Sequence, residues 1–223
     1  MTLQAIQTAT ATIQPDIRDV AAWNAWRRAN LNVTPNLSGK DLSGANLRGV
    51  DLFGADVRYA VLDGANLTEA NLSRANVCWA SMAGADLTDA NLYQADVRWA
   101  DLNGAKLTQA DLHWADLSSA NMHGVNLSGA LLEGTNLYDA KGVVDLGLET
   151  NPLRRFRWVV VLPADATGQS MIKAGCRWYT LEDARAHWGA AWYADNRSPQ
   201  VVAESRARLA FAEALIEIDA VSR

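Results

Sequence analysis

The chain has 223 residues and a formal charge of −5, enough for one or two domains, and the acidic balance argues against nucleic acid or an anionic membrane as the main partner. No apolar run reaches the ~18 residues of a membrane span, and Met1-Thr2-Leu3-Gln4-Ala5 lacks a basic stretch leading into an apolar core, so no signal peptide is expected. Cys78 and Cys176 are the only cysteines; Cys78 reads as an outward thiol, which suits a reducing compartment and makes the cytoplasm the expected location.

Residues 1–14 are rich in Thr, Gln and Ala and read as a tail. Asp16, after Pro15 and three residues before Asp19, is a good N-cap, so a helix is expected over 17–29. Trp23 and Trp26 widen its apolar face, Asn24 interrupts it, and both indoles need cover. The open N-terminal end of the structure that follows would provide it, because an uncapped end is an edge that invites aggregation. Ala29-Asn30-Leu31 reads as a rudimentary repeat unit with a one-residue bulge, and Pro35-Asn36-Leu37-Ser38-Gly39 as the last imperfect unit before regularity begins.

Residues 40–139 divide into twenty pentads without insertion or deletion. Each centres on a large apolar residue, from Leu42, Leu47 and Leu52 to Leu127, Leu132 and Leu137. Two positions before the centre lies a small residue, usually Ala, and one before it usually Asp or Asn. A period of five fits neither helix nor strand, so the repetition itself must be explained. A second period of twenty runs through the first. Val replaces Leu at 57, 77 and 97; Gly closes the pentad at 44, 64, 84, 104 and 124; Ser or Thr follows the centre at 68, 88, 108 and 128. Four pentads to a coil, stacked in register, account for these columns.

The units Ala45-Asn46-Leu47-Arg48-Gly49 and Ala90-Asn91-Leu92-Tyr93-Gln94 resemble those of pentapeptide repeat proteins, Ala-(Asp/Asn)-Leu-X-X. The resemblance implies a mainly β fold, a right-handed quadrilateral β-helix of about five coils, with the central and Ala slots inward and the other three toward solvent. At the ~4.8 Å spacing between strands, five coils make a rod of roughly 25 Å. The glycine column is expected to occupy positive-φ turns.

The repeat ends at Ala140-Lys141-Gly142, where Gly takes the next central slot. Residues 143–155 read as a connector, 156–162 and 170–179 as strands, and two helices follow, the last over 198–220. The expected organisation is an N-terminal tail and capping helix (1–35), the rod (36–142) and a small α+β C-terminal ββαα module (143–223). The stretch from Ala174 to Trp188 resembles tail modules of bacterial and phage repeat proteins.

No catalytic residue, cofactor or metal is expected. His113 and His123 stand two pentads apart, on opposite sides of a four-sided rod, and His187 with Cys176 supplies only two ligands. Asp96 with Asp116, and Glu69 with Asp89, stack on successive coils and read as solvated ladders. What remains is binding. On the side carrying Val57, Val77 and Val97, the outward slots bring Arg58, Tyr59, Trp79, Arg98 and Trp99 into one patch, with Trp114 on the neighbouring side. Aromatic residues beside arginine are what interface hot spots are made of, so these six are the candidate partner-binding residues. The ligand is a protein partner or a second copy of the chain, with no direct nucleic-acid or membrane binding. The pentapeptide resemblance leaves one alternative open, topoisomerase protection by DNA mimicry, and the C-terminal resemblance another, a phage-associated structural or host-interaction role. The mimicry reading meets a modest charge, because residues 36–140 carry thirteen acidic and six basic side chains, a net of −7. A DNA duplex of that length carries about fifteen charges.

Overall fold

The computed structural model describes residues 14–148, 157–161, 171–174, 177–180, 209–210 and 212. Parallel bridges join Asn36 to Asp56, Asp41 to Val61 and onward in steps of five to Asn121 and Lys141, each pair twenty residues apart. Four pentads therefore make one coil of a β-helix, and identical slots stack in columns.

The hydrogen bonds explain the pentad residue by residue, since buried backbone donors must find partners. In the unit around Leu87, the Asp86 amide donates to the Ala65 carbonyl of the preceding coil (2.9 Å). Leu87 donates to Lys106 (2.7 Å) and Asp89 to Thr108 (2.9 Å), both in the following coil. The Ala90 amide closes a turn onto the Leu87 carbonyl (3.0 Å). One amide remains, that of Thr88, and the Asp86 carboxylate accepts it at 3.1 Å. The same bond recurs from Ser43 to Asp41, Tyr93 to Asn91 and Ser118 to Asp116. Asp or Asn before the centre thus satisfies the one amide that the coils leave over, as in an Asx-turn.

The turn fixes the last slot. From 39 to 139 every residue two after the centre has positive φ, ten glycines and eleven others, while the residue before it does not. A positive φ at the third residue of the turn after a negative φ at the second is the φ pattern of a type II turn. The glycine column at 44, 64, 84, 104 and 124 lies in these turns as expected. Glycine is also needed where the repeat ends, because a Cβ on Gly142 would meet the backbone of His123 at 2.4 Å.

The centres from Leu37 to Leu137 and the Ala slots between them form one continuous core. Two slots expected to face solvent do not. Ser73 and Cys78 are buried, so Cys78 is not the outward thiol its slot suggests. It stands one coil from Arg58 and one from Arg98, whose side chains outreach it, and its Sγ points at the Asp96 carbonyl (3.9 Å). Desolvation pushes the thiol up to about 11. A neutral, buried thiol should react with a disulfide reagent at pH 8 far more slowly in the native protein than in denaturant; equal rates would contradict the burial.

Helix α1 spans Val20–Ala29, three residues shorter at its start than expected. The N-cap is Asp19, which accepts the Ala22 amide (3.0 Å), while Asp16 instead accepts the Arg18 amide within a preceding turn. The helix ends at Asn30, and Leu31 is 76% exposed. Ala29-Asn30-Leu31 is therefore not a rudimentary pentad, and regular coiling begins at Asn36. Residues 14–27 lie along the first coil and supply from side chains what a preceding coil would supply from backbone. Gln14 Nε2 donates to the Asn36 carbonyl, Arg18 to Asp41, Trp23 Nε1 to Asp51 and Arg27 to Phe53. The side-chain carbonyls of Gln14 and Asn24 accept the amides of Asn36 and Asp51. Asn24, which interrupts the apolar face in the sequence, is thus a backbone mimic.

Beyond the rod, strand β1 (Val143–Leu148) lies where a connector was expected. It pairs antiparallel with β2 (Arg157–Val161), β2 with β3 (Met171–Ala174), and β3 with β4 (Arg177–Thr180), in the order β1-β2-β3-β4. The single strand expected over 170–179 is a two-strand hairpin. The first C-terminal helix of the expected ββαα module lies outside the described residues; of the second, Leu209, Ala210 and Ala212 are described and helical.

Candidate protein-interaction face

Outward side chains on the Val57/Val77/Val97 side share a flat surface with a left-handed corner at each edge. One corner carries Tyr59, Trp79 and Trp99 at φ 58°, 63° and 62°. The opposite corner, which ends the preceding side of each coil, carries Arg74, Gln94 and Trp114. For residues other than glycine the left-handed region costs roughly 1–2 kcal/mol, and bulky side chains there are outliers that call for a reason.

Trp79 and Trp99 stack with ring centroids 5.1 Å apart and planes 5° from parallel, a spacing close to that of the coils. Even so they are 52% and 50% exposed, and Tyr59, one coil before Trp79, is 58% exposed. Trp114 is 59% exposed and lies against Gly134, where a Cβ would meet the indole at 2.5 Å. All six candidate residues thus stand on this face or at its edges. The arginines differ from the sequence expectation in one respect: each is already engaged. Arg58 grips the Asp56 carboxylate through Nε (2.8 Å) and a terminal nitrogen (2.7 Å), and Arg98 holds Asp96 in the same two-pronged way (2.7 Å each). The paired guanidinium holds both carboxyls below the usual range, and the bonded carboxylate in turn raises each arginine. The pairs fix flat guanidinium planes beside the aromatic corner.

Tyr138, 80% exposed on the same face, and Phe53, under the Arg74 guanidinium at 6.0 Å, were missed from sequence. The signal was present, since both are large apolar residues in outward slots. The His113 imidazole pairs with Asp111 (2.6 Å), and no group of three or more metal-ligating side chains occurs among the described residues. No helix among those residues is long and apolar enough to cross a membrane.

Twenty-residue coils of four turns, closed by outward Asp or Asn, define a β-helical repeat. The family model of pentapeptide repeats matches residues 36–68, 70–109, 98–134 and 110–141 in eight copies, and the chain is a pentapeptide repeat protein over this region, a family built on the right-handed β-helix. It is similar to a pentapeptide repeat protein of the Arabidopsis thaliana thylakoid lumen (28% identity, 56% of this chain and 72% of that one, TM-score 0.28). It is also similar to HetL, a pentapeptide repeat protein involved in heterocyst differentiation regulation in the cyanobacterium Nostoc (29% identity, 49% and 58%, TM-score 0.26). A third similarity is to QnrB1, a plasmid-mediated fluoroquinolone resistance protein (18% identity, 48% and 68%, TM-score 0.29). No curated protein matches the chain significantly.

Proposed function

We propose that the chain is a non-enzymatic protein-interaction scaffold. A rod of about five coils, closed at its first coil by residues 14–30, presents the face between the Tyr59/Trp79/Trp99 corner and Trp114 to a protein partner. The observation that carries this reading is the placement of half-exposed aromatic side chains at left-handed corners where ten other turns use glycine. Exposed aromatic surface of this kind on a folded protein marks a contact site, and aromatic residues with arginine dominate interface energies. The test is self-association by light scattering and capture of partners on the immobilised protein, with Trp79→Ala/Trp99→Ala beside the parent. The double variant should fold and lose the association; binding and assembly like the parent's would overturn the proposal.

The net acidity of the rod favours a second reading, DNA mimicry toward a topoisomerase. The charge distribution weakens it. Glu69 pairs with Arg48, Asp86 with Lys106, and Asp56 and Asp96 with their own arginines, leaving no continuous anionic stripe through those rungs. Unchanged gyrase supercoiling in the presence of the protein is the expected result.

A further inference from the structure

The Trp79/Trp99 stack stops abruptly. The next two residues in that column are Ser119 and Asp139, and those beside them are Ser118 and Tyr138. Trp99 is covered by Trp79 on one face, and among the described residues no ring packs on its other face. The serines are short and turned to neighbouring carboxylates: Ser118 Oγ donates to Asp116 at 2.7 Å and Ser119 Oγ to Asp139 at 3.2 Å. One coil of small residues therefore separates the bare face of Trp99 from Tyr138 and the Asp139 carboxylate, both exposed. Two coils span about 10 Å. A planar group stacked about 3.5–4 Å from the indole leaves about 6 Å to the level of Asp139, within reach of a carboxylate.

Building on the interaction face proposed above, we propose that this notch receives an arginine side chain of the protein partner. The guanidinium stacks on the free face of Trp99, beside Tyr138, and the Asp139 carboxylate attracts its charge across the notch. Charge complementarity selects the sign, since the rod with Lys141 included carries a net of −6 and the neighbouring cation, Arg98, is already neutralised by Asp96. Shape selects arginine over lysine, because a flat guanidinium stacks and presents several donors where an ammonium is a strongly hydrated point charge.

The test titrates Gly-Arg-Gly-amide and Gly-Lys-Gly-amide into the full chain while following the indole NH signals by NMR at low salt. The Trp99 signal should shift saturably with the arginine peptide and more weakly with the lysine peptide. Ser119→Trp, which extends the stack into the notch, should weaken the arginine peptide by about tenfold or more. Asp139→Asn, which the left-handed position tolerates, should do the same and keeps the test open if Ser119→Trp does not fold. No saturable shift, or equal titrations in parent and both variants, would overturn the notch as a site and leave only general attraction to an acidic rod. The two proposals fail separately. If Trp79→Ala/Trp99→Ala loses association while Asp139→Asn keeps it and the peptide does not bind, the face stands without the notch. If the double variant keeps its association, the face itself falls.

Discussion

Leu87→Asp is expected to abolish cooperative folding of the rod. Leu87 is fully buried, with Leu67 and Leu107, equally buried, in the same slot of the adjacent coils. Truncation to Ala at such a site costs about 2–5 kcal/mol, and an unpaired carboxylate costs several more. Whole domains have roughly 5–15 kcal/mol in hand. The defect also cannot stay local, since each coil is stabilised mainly by its neighbours. Circular dichroism melting checks this. A transition within a few degrees of the parent would contradict the inward placement of the central slot.

Removing residues 1–30 is expected to turn the protein into an aggregating species. The deletion strips Trp23 and Arg27, both buried, and releases the carbonyls of Asn36, Asp41, Asp51 and Phe53 from their side-chain donors. What is left is an open β edge over a leucine core, a template for further chains. The single change Trp23→Ala should cost about 3–5 kcal/mol without exposing the whole edge, so it should lower the melting temperature before it promotes association. Light scattering on the truncated chain decides the matter, and a soluble monomer would show that the first coil closes itself.

The rod was legible because its constraint is periodic. A coil of twenty residues forces every column to repeat, and the Val, Gly and Ser/Thr columns declared it. The physical role of the residue before each centre was not legible, since only the bond count shows that one amide per pentad needs an outward acceptor. Local resemblance misled at Ala29-Asn30-Leu31: the triplet matches the repeat, but no coil precedes it, and Ala29 ends α1, Asn30 caps it and Leu31 stands exposed in the turn beyond. Cys78 was misread because a slot's direction does not fix its exposure when the residues above and below are arginines. The hairpin of β3 and β4 was hidden because Met171, Ile172, Trp178 and Tyr179 all favour strands and Gly175 is the one break signal between them. For the interaction face, the slots of Trp79 and Trp99 and their stacking followed from the period of twenty. Their left-handed backbone and the engagement of Arg58 and Arg98 by Asp56 and Asp96 did not.

If the aromatic corner is there to be bound, it is dispensable for the fold. Trp79→Gly/Trp99→Gly tests it through thermal stability. The change relieves two left-handed aromatic residues, worth roughly 1–2 kcal/mol each, and forfeits one stacked pair, about 0.5–1.5 kcal/mol, with the burial of two half-covered indoles. The strain relief offsets the lost stack and part of the lost burial, so the double variant should melt within about 5 °C of the parent, a difference of one or two kcal/mol in a chain of this size. A fall as large as that caused by Leu87→Ala would show instead that the stacked tryptophans are part of the fabric of the rod.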